Sequence, residues 1–525
     1  MSPVPEKTDP ILSPNNNNND DEIISKEFLQ KALEHEAKNG DSVPTIISHS
    51  VTLGTKPGDN FMSIIYSVDV ELSDGKKRHL LIKCYPNHPA RQEFGNKSNM
   101  FFKEYEVYSK WIPELKRMQT EVLGLRKNEI VKLPYAHFVD GDCIDFQSEE
   151  GKSRMSGHIH SLDNFIMMED LRKTYGFRMT NRREALDLDH TKLVISALAK
   201  VHALSWAYRH HVEENITEKF PCLVTNMEED DMETWNAVLF SNLDQAKLIY
   251  DEQFGPGNDY SIAADAFRKI LPTLTKFFMG RIDAKLLEDL MRVKCPDPVK
   301  FGRDAENPEP WRIICHGDCW SNNMLFKYDQ ATGKPLEVVL VDLQMPQESC
   351  VINDLQYVIF ACTRLKLRQL HLDELLQLYH DTFNGVCALT KTPTLPGFCM
   401  DSLRFRFHRS KFLGYFMAIM VLPIMLKEEE NAVNLEELPE GEDFTEIFAN
   451  LSTDMGGNTI FKERLIEVTK GMIDEGILYL SCVRGYVPVK KVSYRQKIIS
   501  TTTTWNCQDL SKNCQELQLS KNGPS

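Results

Sequence analysis

Two rhythms of apolar residues alternate along the chain. Between about residues 44 and 85, TIISHSVTLG, FMSIIYSVDVELSDG and RHLLIKCYP are rich in Val, Ile and Tyr. Turn residues separate them, so they predict strands, with SDGKK at 73–77 as a hairpin turn. FFKEYEVYSKWIPEL then changes to helical spacing, with Phe101, Tyr105, Tyr108 and Trp111 on one face. EIVKLPYAHFV and NFIMMEDL return to strand character. Ahead of them all, SKEFLQKALEHEAKNG predicts a helix capped by Ser25 and ended by Gly40. The first part of the chain therefore reads as a mostly antiparallel sheet with one crossing helix.

From about residue 185 the pattern is mainly helical. TKLVISALAKVHALSWAYRHHV is a strong amphipathic run, and helices fill most of 190–295 and 353–480. Between them, WRIIC and EVVLVDLQ predict short strands. The expected fold class is α+β in two lobes: an antiparallel sheet lobe with one key helix, then a larger, mostly helical lobe. The expected boundaries are 1–22 for a polar tail, 23–170 for the first lobe, 171–487 for the second and 488–525 for a second tail. The acidic stretch KEEENAVNLEELPEGED reads as a solvated loop.

Composition narrows the function. The 525 residues carry 61 Lys plus Arg against 76 Asp plus Glu, a net charge of −15. Such a chain does not attract phosphate backbones as a whole, which argues against a nucleic-acid partner. The 13 cysteines include no C-x-x-C pair and suit free thiols in a cytoplasmic protein. No signal-peptide core opens the chain. The longest apolar run, FLGYFMAIMVLPIML, is too short for a membrane span and predicts a buried helix; its apolarity suits either a core or an apolar acceptor pocket.

Candidate chemistry centres on IICHGDCWSNNMLFKYD, residues 313–329. An acid, Asp318, and an amide, Asn323, stand five residues apart between two apolar runs. Alone, this is an ordinary polar turn. Its company changes that. LLIKCYP places Lys83 near the end of an apolar strand, FFKEYEVYSKW places Glu104 on the next helix, and VVLVDLQ ends an apolar strand in Asp342. Phosphoryl transfer from ATP needs parts of these types: a lysine for the phosphates, an acid to orient it, an acid to take the hydroxyl proton, and oxygen ligands for magnesium. Lys83, Glu104, Asp318, and the pair Asn323 and Asp342 fill those roles in that order.

With HGDCWSNN, VDLQ and NDLQY in place, the chain resembles the small-molecule kinases of the protein-kinase-like superfamily, which include aminoglycoside phosphotransferases and choline kinases. It resembles most the ecdysteroid-kinase-like (CHK kinase-like) family, through GDNFMSIIY, FFKEYEVY, FIMMEDL, LAKVHALSWA, HGDCWSNNMLF and VDLQ over residues 25–480. The resemblance implies that Gly58, Asn60, Phe61 and Ser63 form a loop over the phosphates. It implies that the backbone around Met168, Glu169 and Leu171 holds the adenine, with Asp318 as base and Asn323 and Asp342 on magnesium. His316 would be a scaffold residue. Leu343-Gln344 after the second Asp is normal in this branch and argues against a protein substrate.

Asp354 reads as a helix cap and, by the resemblance, as a bond to the catalytic-loop backbone. His202 reads as a satisfied core histidine, and Cys315 and Cys319 as packing residues. The acceptor expected from the resemblance is an ecdysteroid or other steroid alcohol, with xenobiotic phenols or glycosides next. A choline- or aminoglycoside-type kinase and an inactive kinase-fold binding protein are the alternatives. The identity of the acceptor and the oligomeric state are not legible.

Overall fold

The computed structural model describes residues 24–37, 42–55, 63–86, 88–154, 161–224, 229–278, 311–428 and 455–478. Both expected tails, Gly40, most of the acidic stretch, and Gly58, Asn60 and Phe61 lie outside these residues.

Helix α1 (Lys26–Glu36) starts where expected: the Ser25 side chain accepts from the Phe28 N–H. Strands β1 (Ile46–Leu53), β2 (Ile64–Leu72) and β3 (Lys77–Cys84) follow as an antiparallel meander. The hairpin between β2 and β3 turns at Gly75, whose φ of 81° suits glycine. Strands β4 (Phe138–Asp142) and β5 (Phe165–Glu169) complete a five-stranded sheet in the order β1-β2-β3-β5-β4.

Strand alternation sorts this sheet into two faces. Leu80, Ile82 and Cys84 of β3 join Leu29 and Leu33 of α1 in one core cluster. The residues between them, Leu81 and Lys83, face the other way. On that side the helical segments Met100–Glu106 (α3), Val107–Trp111, Ile112–Arg117 and Met118–Val122 run on from one another. They bury Phe101, Tyr108 and Trp111 in the second, larger cluster, as the apolar spacing predicts.

Two expectations about the first lobe need correction. Only the end of EIVKLPYAHFV is a strand. Upstream of it, the buried Gln119 side chain accepts from the Val131 N–H at 2.7 Å and donates to the Val131 carbonyl at 3.3 Å. That side chain fills the place of a neighbouring strand. A second helix, α2 (Pro89–Ser98), precedes α3. Its buried residues include Arg91, Gln92 and Asn96, so no apolar stripe reveals it.

The remainder is mostly helical. Helix α4 (Leu188–His211), α5 (Glu229–Phe254) and α6 (Asp259–Phe278) precede four short strands: β6 (Arg312–Cys315), β7 (Met324–Tyr328), β8 (Pro335–Leu340) and β9 (Gln347–Cys350). Strand β6 pairs with β9, and β7 pairs with β8. Helices α7 (Ile352–Ala361), α8 (Leu365–Leu389), α9 (Met400–Arg409), α10 (Lys411–Met425) and α11 (Thr459–Asp474) follow. The long apolar run is α10, and nearly all of it is buried. Its buried residues belong to the larger core cluster. No helix among the described residues is long and apolar enough to cross a membrane.

Candidate functional site

Strand β3 ends at the mouth of a cleft between the sheet and the β7–β8 hairpin. The cleft measures about 860 Å³ out to its open edge. Ile65, Leu81, Ala136, Met168 and Leu325 give it apolar walls, and Lys83, Glu104, Asn323 and Asp342 give it a charged and polar floor.

Lys83 is the centre of that floor. Its Nζ donates to Glu104 Oε2 and to Asp342 Oδ1, each at 2.6 Å. Glu104 is 1% exposed, and its other oxygen accepts the Leu343 N–H at 3.2 Å. Burial alone would lower the lysine pKa, but the Asp342 and Glu104 carboxylates outweigh it and hold the ammonium above the usual lysine range. Burial pushes the Glu104 carboxyl up while Lys83 pulls it down. The nearby Asp342 charge adds to the burial, and on balance the carboxyl lies above its usual range.

Asp342 reaches this position through the hairpin. Met324 pairs with Leu340, and the Val341 N–H donates to the Asn323 carbonyl at 3.0 Å, so Asn323 and Asp342 leave neighbouring strand ends. Asp342 then adopts φ 64°, a left-handed backbone that costs a non-glycine residue energy. Its Oδ2 accepts from Gln344 Nε2 at 3.2 Å.

Asp318 is held differently. Its Oδ1 accepts from Tyr357 OH at 2.8 Å, and its Oδ2 from Asn323 Nδ2 at 2.9 Å. No cation touches it among the described residues. Burial raises its pKa to about 6, the charge of Asp342 adds to this, and hydrogen bonds from Tyr357, Asn323 and Trp320 oppose it only in part. Asn323 spends its amide N–H groups on Asp318, at Oδ2 and at the backbone carbonyl. Its side-chain carbonyl oxygen is left without a bond among the described residues. Together with the Asp342 carboxylate this is a pair of hard oxygen donors, the set magnesium prefers.

The loop is braced from below. Asp354, 1% exposed, accepts the backbone N–H groups of His316 at 2.7 Å and Gly317 at 3.0 Å, and His202 Nε2 lies 3.0 Å from it. His202 meets Tyr379 OH with its other nitrogen at 2.8 Å and is wholly buried. His316 is a scaffold residue: its Nε2 lies 3.1 Å from the Val341 carbonyl and its Nδ1 accepts the Asp318 N–H at 3.3 Å. Gly317 has φ 81°, and a Cβ there would lie 2.1 Å from the Met345 carbonyl oxygen, so only glycine fits.

The structure thus gathers Lys83, Glu104, Asp342 and Asn323 on one floor, with Asp318 bonded to Asn323. Met168, Glu169 and Leu171 line the same cleft. Ser63 is buried, and its carbonyl accepts from Arg91 at 3.4 Å. Two further residues join the site without having stood out in the sequence. Tyr357 stands one helical turn after Asp354 in NDLQY, a spacing that puts both on one face of α7. Arg172 donates to the Gly54 carbonyl at 2.6 Å and to Asp170, tying the end of β1 to the end of β5. No local pattern marks Arg172.

A five-stranded antiparallel sheet joined to a mostly helical lobe is the two-lobed, kinase-like fold expected. The model of the ecdysteroid kinase-like family matches residues 57–392. The chain belongs to that family, and it is a kinase-like phosphotransferase of the small-molecule branch. Among solved structures, it is similar to the GDP complex of wild-type aminoglycoside 2′-phosphotransferase-IIIa, with 13% identity, 82% of this chain and 99% of that chain covered, and a TM-score of 0.29. It is also similar to the GDP complex of a point mutant of that enzyme, with 12% identity, the same coverages and a TM-score of 0.32. Scores this low leave both likenesses without weight for the chemistry. No curated protein matches significantly.

Proposed function

We propose that the chain transfers the γ-phosphoryl group of ATP to a hydroxyl of a small-molecule alcohol, a steroid alcohol first and a xenobiotic alcohol next. The observation that carries this reading is the pairing of two unlike acids: Asp342 held by Lys83, and Asp318 held only by neutral donors. The apolar walls suit a purine, and Lys83 suits the phosphates. Gly58, Asn60, Phe61 and Ser63 belong to the loop assigned to the phosphates, and the Met168–Leu171 backbone to the adenine. The sheet lobe, 23–170, would take the donor, and the helical lobe, 171–487, the acceptor. The cytoplasm is the compartment this suits, and the nine described cysteines are all free thiols.

In this reading Asp318 accepts the proton of the acceptor hydroxyl. The hydroxyl oxygen bonds to the γ-phosphorus as the bond to the bridging oxygen breaks, and ADP leaves with that electron pair. Tyr357 and Asn323 aim the Asp318 carboxylate. Lys83, oriented by Glu104, binds the donor phosphates. Asn323 and Asp342 would hold magnesium, which when bound neutralises phosphate charge. Incubating the purified protein with ATP and a panel of steroid and xenobiotic alcohols tests the proposal. A product heavier by one phosphoryl group in the mass spectrum supports it. No such product from any alcohol, with choline or an aminoglycoside phosphorylated instead, assigns the chain to the other acceptor class.

A further inference from the structure

A second cleft, of about 620 Å³, lies against the other side of α3. Adjacent residues of that helix serve the two clefts: Glu104 reaches the first, and Lys103 lines the second. The turn after β8 is shared in the same way. Asp342 lies in the first cleft, while Gln344 and Met345 line the second. Gln344 is bonded to Asp342, and the Met345 carbonyl packs on Gly317, next to Asp318. The second cleft therefore abuts Asp342 and Asp318 without containing either.

Its chemistry is set by Lys103, which is 8% exposed. Among the described residues, the only bond of the Lys103 ammonium is to the Val224 carbonyl at 3.3 Å, and no carboxylate pairs with it. Asp145, on the same cleft, is committed through Oδ1 to Asn99 Nδ2 at 2.8 Å and the Gln147 N–H at 3.0 Å. The Cys222 thiol nearby is kept protonated by burial, which pushes it up to about 12. Burial pulls Lys103 down to about 8, the mark of an ammonium without a compensating charge. Lys83, in the first cleft, has two carboxylates; Lys103 has none among the described residues. A buried cation with spare N–H donors is costly unless something supplies the negative charge. Met100, Phe102, Pro221, Val224 and Met345 supply apolar wall beside it.

We propose that this cleft is a second ligand site, for an organic anion with an apolar body, whose acidic group pairs with Lys103. The site is distinct from the donor cleft, and its test contains no nucleotide, so it stands apart from the kinase reading.

The probes are 2-naphthoate and the matched neutral 2-naphthamide, titrated calorimetrically into the full-length protein. A charge-assisted hydrogen bond is worth roughly ten- to hundred-fold in affinity, so naphthoate should bind at least about ten-fold more tightly than the amide. Lys103→Met and Lys103→Gln should each remove that preference. Neither variant should melt below the wild type, because each deletes a buried charge with no carboxylate partner among the described residues. Equal binding of the two probes to the wild type overturns the proposal. So does a naphthoate preference that survives both substitutions in folded protein.

Discussion

Asp342 and Asp318 are the same residue type, close enough that the charge of one raises the pKa of the other, yet they are held in opposite ways. Asp342 has an ammonium at 2.6 Å, shared with Glu104. Asp318 has a phenol and an amide, and burial lifts it to about 6. A carboxylate paired with a cation suits phosphate and metal chemistry. One bonded to neutral donors in a poorly solvated place can take up a proton near neutral pH. The environment divides the labour, and the protein builds it from one hairpin, one loop and one helix face.

The comparison breaks most sharply at Asp318. Asp318→Asn keeps the shape and loses the proton acceptor, so turnover should fall by about 10²–10⁴-fold while ATP binding holds. Stability should move the other way. A folded pKa of about 6 lies above the unfolded value of about 3.9. The preference for the protonated form is therefore fully present below pH 4 and lost as pH rises through 6, where the ionised carboxylate becomes a cost. The variant should melt no lower than wild type at pH 7.5, and any advantage should vanish by pH 4. A lower melting temperature at pH 7.5 would assign Asp318 a structural role.

On the other side, Lys83→Met leaves Glu104 buried without its cation. Breaking a buried pair costs about 3–5 kcal/mol, and denaturant titration should show a loss of that order. Lys83→Met combined with Glu104→Gln should recover part of it. If the double variant is no better than the single, the pair does not carry the charge balance described. Asp342→Asn should make ATP affinity insensitive to chelating magnesium. An unaltered magnesium dependence would remove Asp342 from the ligand set.

The smallest effect sharpens the comparison most finely. Tyr357→Phe removes a hydrogen bond that lowers the Asp318 pKa, so the acid limb of kcat/KM should move to higher pH, with little loss of rate on the plateau. Asp342→Asn removes a charge that raises it, so the Asp318 titration should move to lower pH. Shifts in the same direction in both variants would contradict the assignment.

Much of the fold is legible in the order of the amino acids. Runs rich in Val, Ile and Tyr between turn residues predict β1 to β3, and Lys83 near the end of the third; the face on which it stands comes from the folded sheet. Helical spacing predicts α3 and α4, and an unbroken apolar run predicts α10. The elements it misses are those where polar groups take the place of apolar ones. Helix α2 buries Arg91, Gln92 and Asn96, and the Gln119 side chain replaces a strand beside Val131. At the site, the residue types and order point to Lys83, Glu104, Asp318, Asn323 and Asp342. Tyr357 and Arg172 do not stand out, since each acts through one contact with a segment remote in sequence: Asp318 is 39 residues from Tyr357, and Gly54 is 118 from Arg172. The contrast between the two aspartates is likewise a property of surroundings that no spacing encodes.

That contrast can be read without knowing the acceptor. Carbon-13 NMR of protein labelled at aspartate carboxyl carbons, compared with Asp318→Asn, identifies the Asp318 resonance as the one lost. Titrating it should give a midpoint near 6, moved up in Tyr357→Phe. A midpoint in the ordinary aspartate range, near 4, unmoved by Tyr357→Phe, would contradict the claim that this carboxylate is set apart to accept a proton.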